Sequence, residues 1–144
     1  MKKDIDLTWA ELQSLGGDLN KASDEYNKII EEFEEKLRKL NLGVSVWVPT
    51  DFEYAPAFHW YLGYTRDESQ WGIYLTPGPE KLTNQLVYDS ERGYRLTAAP
   101  RKLRLLVSPH FIDLLWELRN EITKLLPQVE EAKKIASDLL GQLK

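Results

Sequence analysis

The chain has 144 residues, no cysteine and a formal charge of −4, from 23 acids against 19 bases. Its 42% apolar and 29% charged residues are those of an ordinary globular protein that can bury a real core, which excludes a disordered chain. Without thiols there is no disulfide, cysteine zinc site, iron–sulfur cluster or thiol nucleophile, and two histidines, His59 and His110, are too few for a His-rich zinc site.

In chain order, the opening MKKDIDLTWAEL has two lysines with no apolar stretch behind them, so no signal peptide is expected. Residues 1–42 then read as helical. Thr8 with Glu11 forms a possible capping box. Leu12, Leu15, Leu19, Ala22, Tyr26, Ile29 and Phe33 recur at alternating steps of three and four, and Leu37 and Leu40 continue them. Gly16-Gly17 interrupts this seam at a cost of roughly 1 kcal/mol per glycine. The phase survives, so either one helix spans 8–40 or a short helix precedes a longer one. The acids Asp24, Glu25, Glu31, Glu32, Glu34 and Glu35 lie mostly off the seam, as a solvated face would place them.

The middle segment, 43–107, reads as sheet and holds 11 of the 16 aromatics. Gly43 to Pro49 alternates with period two and ends at a proline. Phe58 to Tyr64 is a second strand, Arg66 to Ser69 a turn, and Gln70 to Thr76 a third strand, stopped by Thr76-Pro77-Gly78-Pro79. Leu86-Val87-Tyr88 and Tyr94-Arg95-Leu96 flank a second hairpin signal at Asp89–Gly93. A four- or five-stranded antiparallel meander is expected, followed by a short helix over Ala99 to Val107.

Strand parity splits the first three strands into two faces. One carries Val44, Val46, Val48, Phe58, Trp60, Leu62, Trp71, Ile73 and Leu75, and is the core face. The other carries Ser45, Trp47, His59, Tyr61, Gly63, Gly72, Tyr74 and Thr76. Large aromatics with polar handles beside small residues suit a recognition surface. They equally suit a second core covered by another part of the chain, with the glycines making room.

In residues 108–144, Ser108-Pro109 is a helix start. Phe111, Leu115, Leu118, Ile122, Leu125, Val129, Ala132, Ala136, Leu139 and Leu143 then keep a heptad seam to the end of the chain. Pro127 falls on the outer face and the seam keeps its phase across it, which favours a continuous helix over a break at Leu126-Pro127. The two long helices, of about 33 and 35 residues, would each be roughly 50 Å long. Their simplest closure is an antiparallel pair that brings both termini together; the competing one pairs each seam with another subunit, as in a homodimer.

Few groups carry chemistry. His59 would need an orienting carboxylate to act as a base, and Asp51, Glu53, Asp67 and Asp89 are the loop acids that could approach it. His110 reads as packing. Prolines deprive Thr76–Lys81 of the amide donors of a phosphate cradle, and Ser45, Ser69, Ser90 and Ser108 lie in no nucleophile elbow. Arg92, Arg95, Arg101, Lys102 and Arg104 form the one basic concentration, suited to a phosphate, an acidic partner or a nucleic-acid strand unless helix acids pair with it.

The sequence therefore predicts a single α+β domain, an antiparallel meander flanked by long N- and C-terminal amphipathic helices. It points to a non-enzymatic, cytoplasmic interaction module, an adaptor, inhibitor or regulator, that binds a protein partner or itself through its helix seams and aromatic sheet face. No metal, cofactor or membrane contact is expected, and the acidic balance disfavours nucleic acid. The alternatives are a small-molecule or nucleotide site, possibly an enzyme, built from Trp47, His59, Tyr61, Tyr74 and Arg95, and nucleic-acid contact through Arg92–Arg104.

Overall fold

The computed structural model describes residues 4–68 and 70–143. Met1–Lys3, Ser69 and Lys144 lie outside the described residues, and with them the lysines of the N-terminal reading and the serine of the first hairpin turn. The architecture is α+β. Helix α1 (Ile5–Leu40) leads into strands β1 (Val46–Pro49), β2 (Trp60–Asp67), β3 (Gln70–Pro77) and β4 (Tyr94–Arg95), then helices α2 (Arg101–Val107) and α3 (Phe111–Gln142), with short 3-10 turns before α2 and before α3.

α1 is one helix through Gly16-Gly17. Its N-cap is Asp4, not Thr8. The Asp4 carboxylate accepts the Leu7 N–H at 3.0 Å, and the Thr8 hydroxyl donates to the Asp4 carbonyl at 2.6 Å. The expected capping box starts one turn too late, because an earlier oxygen already serves the first free amides. The helix stops at Asn41, which adopts a left-handed φ of 50°. α3 likewise runs unbroken through Pro127.

The four strands form an antiparallel meander in the order β1-β2-β3-β4. One face carries Val46, Val48, Trp60, Leu62, Tyr64, Ile73 and Leu75, all buried. Ile30 and Leu37 of α1, Leu103 and Val107 of α2, and Leu114 and Leu118 of α3 close over it as one core. β1 is shorter than expected, β2 starts at Trp60 rather than Phe58, and Leu86–Tyr88 is not a strand. Phe58 therefore escapes the strand parity and is 70% exposed. Pro77 and Pro79 remove two ladder donors, so the chain leaves the sheet after β3 and crosses the second face as an irregular strap, residues 78–93.

β4 pairs with only Tyr74 and Leu75, which leaves the rest of the outer β3 edge to α1. The fully buried Glu34 carboxylate accepts the Ile73 N–H at 2.9 Å, and the Arg38 guanidinium donates to the Trp71 carbonyl at 3.0 Å. Two helix side chains thus stand in for the missing strand and blunt the edge.

The antiparallel pairing of the two long helices does not occur. Asn20 of α1 meets Arg101, Tyr26 donates to the Arg104 carbonyl, and the Phe33 ring stacks on Phe111 at 5.6 Å. Residue numbers rise together along both paths, so α1 and the α2–α3 segment run in the same sense. α1 meets the core with its second half and α3 with its first. Their free halves consequently leave the sheet at opposite ends.

Candidate functional site

These halves form two arms, residues 5–22 and 126–143, each of 18 residues and about 27 Å at 1.5 Å per residue, the first tied near its base by the hydrogen bond from Arg101 to Asn20. Their apolar stripes continue the faces that pack on the sheet. Leu12 and Leu19 precede Tyr26 and Phe33 at seven-residue intervals, and Ala132 and Leu139 follow Leu118 and Leu125 in the same way. Seven-residue steps return to nearly the same side of a helix, so each stripe runs past the end of the core that buried it. In the arms the stripe meets water. Leu12, Leu15 and Leu19 are 49–61% exposed, and Val129, Leu139 and Leu143 52–71%.

The two stripes differ at their margins. The first is flanked by Glu11 and Asp18 on one side, with Asp4 at the cap, and by Trp9, 62% exposed, and Gly16 on the other. The second is flanked by Leu126, Ile135 and Leu140, all at least 57% exposed, with Lys133 as the only charge among these flanking positions. The α3 arm is thus apolar on both margins, the α1 arm on one.

The sheet's second face is occupied by the strap. Trp47, Tyr61 and Tyr74 are buried there beneath Leu86 and Tyr88, as a small second core. The Tyr88 ring sits 4.7 Å from that of Tyr74, the Tyr61 hydroxyl donates to the Pro79 carbonyl, and the Thr76 hydroxyl accepts the Asp89 N–H at 3.0 Å. Burial raises the Tyr61, Tyr74 and Tyr88 phenols above their ordinary range, with smaller contributions from Glu80 at Tyr61 and from Asp67 at the other two. Gly63 permits this layer: a Cβ there would come within 2.2 Å of the Trp47 ring, which lies flat against the backbone. The aromatic face therefore holds the strap, and of these three residues only Trp47 borders an open space, a cavity of about 650 Å³ between the strap and α3 lined also by Leu82, Glu117 and Lys124.

His59 is separated from them. It is exposed just before β2 and lines a groove of about 670 Å³ with Pro56, Phe58, Pro79, Val87 and Arg92. Among the described residues no carboxylate hydrogen-bonds to its ring. Asp89, on the same groove, is committed to Arg92 at 2.7 Å, a contact that holds its carboxyl below the usual range, helped by the Arg92 and Glu91 amides. Asp51 serves His110 instead. The two ring nitrogens of His110 lie 2.9 Å from Asp51 and 3.1 Å from Asp113, and the His110 bond lowers the Asp51 pKa. This clasp ties the β1–β2 loop to the start of α3. Nothing in the spacing of these three residues announced it.

The basic segment does not gather into one patch. Arg92 is held by Asp89; Arg95 reaches Glu34 at 3.5 Å and Gln70 at 3.3 Å. Arg101 donates to Asn20 and Arg104 to Asn27, fastening α2 to α1, while Lys102 is exposed. Among the described residues no group of three or more metal-ligating side chains comes together, and no helix is long and apolar enough to cross a membrane. Comparison with known proteins brings no function to these features: no protein-family model matches the chain, and neither a curated protein nor a solved structure shows significant similarity to it.

Proposed function

We propose that this protein is a non-enzymatic interaction module of the cytoplasm, an adaptor, inhibitor or regulator, whose two helical arms bind partner helices. One observation carries the reading: the core-facing stripes of α1 and α3 continue for 18 residues each beyond the core, with their leucines in water. Isolated helices of this length are marginal in water and take most of their stability from packing. An amphipathic arm laid along another helix buries such a stripe at i, i+3, i+4 and i+7 spacing. The unoriented His59 and the salt-bridged Arg92 and Arg95 leave the remaining surface poor in catalytic groups.

The test compares proteins captured from a cell extract by the full chain, by a Leu12→Glu/Leu15→Glu variant and by a Leu139→Glu variant. Specific partners should be lost with one or both arm variants and kept by Val87→Glu in the groove. Partners that survive every arm substitution would refute the reading.

A second reading places a small ligand in the groove beside His59. Its volume of about 670 Å³ is the observation in its favour, within the roughly 300–1,000 Å³ typical of ligand sites. A metabolite panel screened by thermal shift against wild type and Phe58→Asp tests it: a stabilising compound whose effect disappears in the variant supports the groove.

A further inference from the structure

The stripe on the α3 arm has an internal symmetry that the α1 arm lacks. Its residues are Leu125, Val129, Ala132, Ala136, Leu139 and Leu143. Reflected about position 134, Leu125 falls on Leu143, Val129 on Leu139 and Ala132 on Ala136. Both spacing and size are conserved by the reflection, with large residues at the ends and small ones at the centre. A second copy laid antiparallel across this stripe would match large to large at both ends and bring two alanine pairs together at the middle.

The margins agree. In an antiparallel pair the flanking positions meet their own kind. Ile135 would meet Ile135, Gln128 would meet Gln142, and Leu126 would meet Leu140. The one discord is Lys133, which faces its own copy near the two-fold axis and is countered within its helix by Glu130 at 3.3 Å. Pro127 lies on the outer face and stays clear of the contact.

The α1 arm fails the same comparison. Reflection about position 17 sets Leu15 on Leu19 but Leu12 on Ala22 and Thr8 on Tyr26, while Asp18 would approach its own copy and Glu11 would approach Glu25. Pairing α1 with α3 would instead set those carboxylates against an α3 margin whose only charge is Lys133.

We infer that the chain forms a two-fold homodimer through antiparallel pairing of its α3 arms about residue 134, which leaves the α1 arms free at the two far ends. This rests on the interaction-module reading and names the partner of one arm. The overlap from Leu125 to Leu143 is about 28 Å long. It buries on the order of 1,000 Å² over both copies, at the lower edge of what specific association needs. The dimer is therefore a dissociating one, closed by symmetry rather than growing into a filament.

The experiment is light scattering or sedimentation equilibrium on the full chain across the micromolar range. The mass should rise with concentration from 16.8 kDa toward twice that value. Leu139→Glu should hold it at the monomer, Leu15→Glu should leave the curve unchanged, and Lys133→Leu should tighten association several-fold. Leu139 is exposed, so its variant keeps the monomer fold, which far-UV circular dichroism checks. Because the chain has no cysteine, Ile135→Cys gives a single thiol that should yield a disulfide-linked dimer on mild oxidation, whereas Leu139→Cys should not. Cross-linking at Leu139→Cys but not at Ile135→Cys would mean parallel pairing and would overturn the proposal. So would a dimer abolished by Leu15→Glu and untouched by Leu139→Glu. A mass that stays monomeric at every concentration ends self-association, yet leaves arm-dependent capture of other proteins standing.

Discussion

Each long helix is two structures on one stripe. In the core half of α1, Ile30 and Leu37 are at most 5% exposed; in the arm half, Leu12 and Leu15, on the same side of the same helix, are more than half exposed. The seam runs through both halves, although in the core half Ile29 and Leu40 on it stay 61% and 63% exposed while Ile30 beside it is buried. Apolar periodicity thus locates a face to within about one residue, without saying whether its cover is this chain or another.

The largest effect that can break this comparison is a cavity in the core half. Ile30→Ala should cost about 3 kcal/mol in urea unfolding, the usual price of a large-to-alanine change at a buried site. Leu15→Ala, on the same stripe, should stay within about 0.5 kcal/mol in dilute solution. Equal losses would mean that the arm is packed in the monomer.

The edge contact comes next. Glu34→Leu removes the acceptor of the Ile73 N–H and the counter-charge of Arg95, whose Nε is already buried without a partner. A loss of about 2–3 kcal/mol is expected, from one buried donor left unpaired beside a stranded cation. Amide exchange at Ile73 should quicken with it. A neutral effect with unchanged exchange would show that the open β3 edge does not need the helix.

Gly63→Ala probes the strap side. The added carbon would lie 2.2 Å from the Trp47 ring, so the ring must move and the strap with it, at a cost of about 1–3 kcal/mol. The Trp47 indole N–H resonance, assigned among the five tryptophans, should shift. An unmoved resonance would mean that the ring has room.

Much of this was legible in the residues. Parity separated Val46, Leu62 and Ile73 from Trp47, Tyr61 and Tyr74, because alternation is local and the strands are regular there. Phe58 and His59 were misplaced because a two-residue shift in the start of β2 depends on the loop before it, which carries no periodic signal. Leu86 and Tyr88 looked like a strand since they are apolar neighbours of a turn; the prolines ahead of them, not their own propensity, decided that they cross the sheet instead. The relative direction of the helices was invisible, as heptads specify a face and never a partner's orientation. The clasp of His110 with Asp51 spans 59 positions and follows from tertiary placement alone.

The smallest expected effect concerns pH and the strap side of the sheet. Tyr61, Tyr74 and Tyr88 lie on the strap side, and burial is the main cause of each raised pKa. A group whose pKa is raised on folding contributes stability that is fully present below its unfolded value, about 10 for tyrosine. That contribution is lost as pH climbs through the folded value. Neutral-pH stability should therefore be unaffected, and the unfolding midpoint should fall progressively above pH about 10. Tyr64, on the helix side, is raised as well, so a wild-type titration alone cannot assign the loss. Tyr88→Phe removes one strap phenol and keeps the ring against Tyr74. It should flatten the alkaline decline while leaving the neutral midpoint nearly unchanged. A variant that declines as steeply as wild type would show that the Tyr88 phenol carries none of the alkaline sensitivity and leave it with Tyr61, Tyr74 and the helix-side Tyr64 and Tyr26.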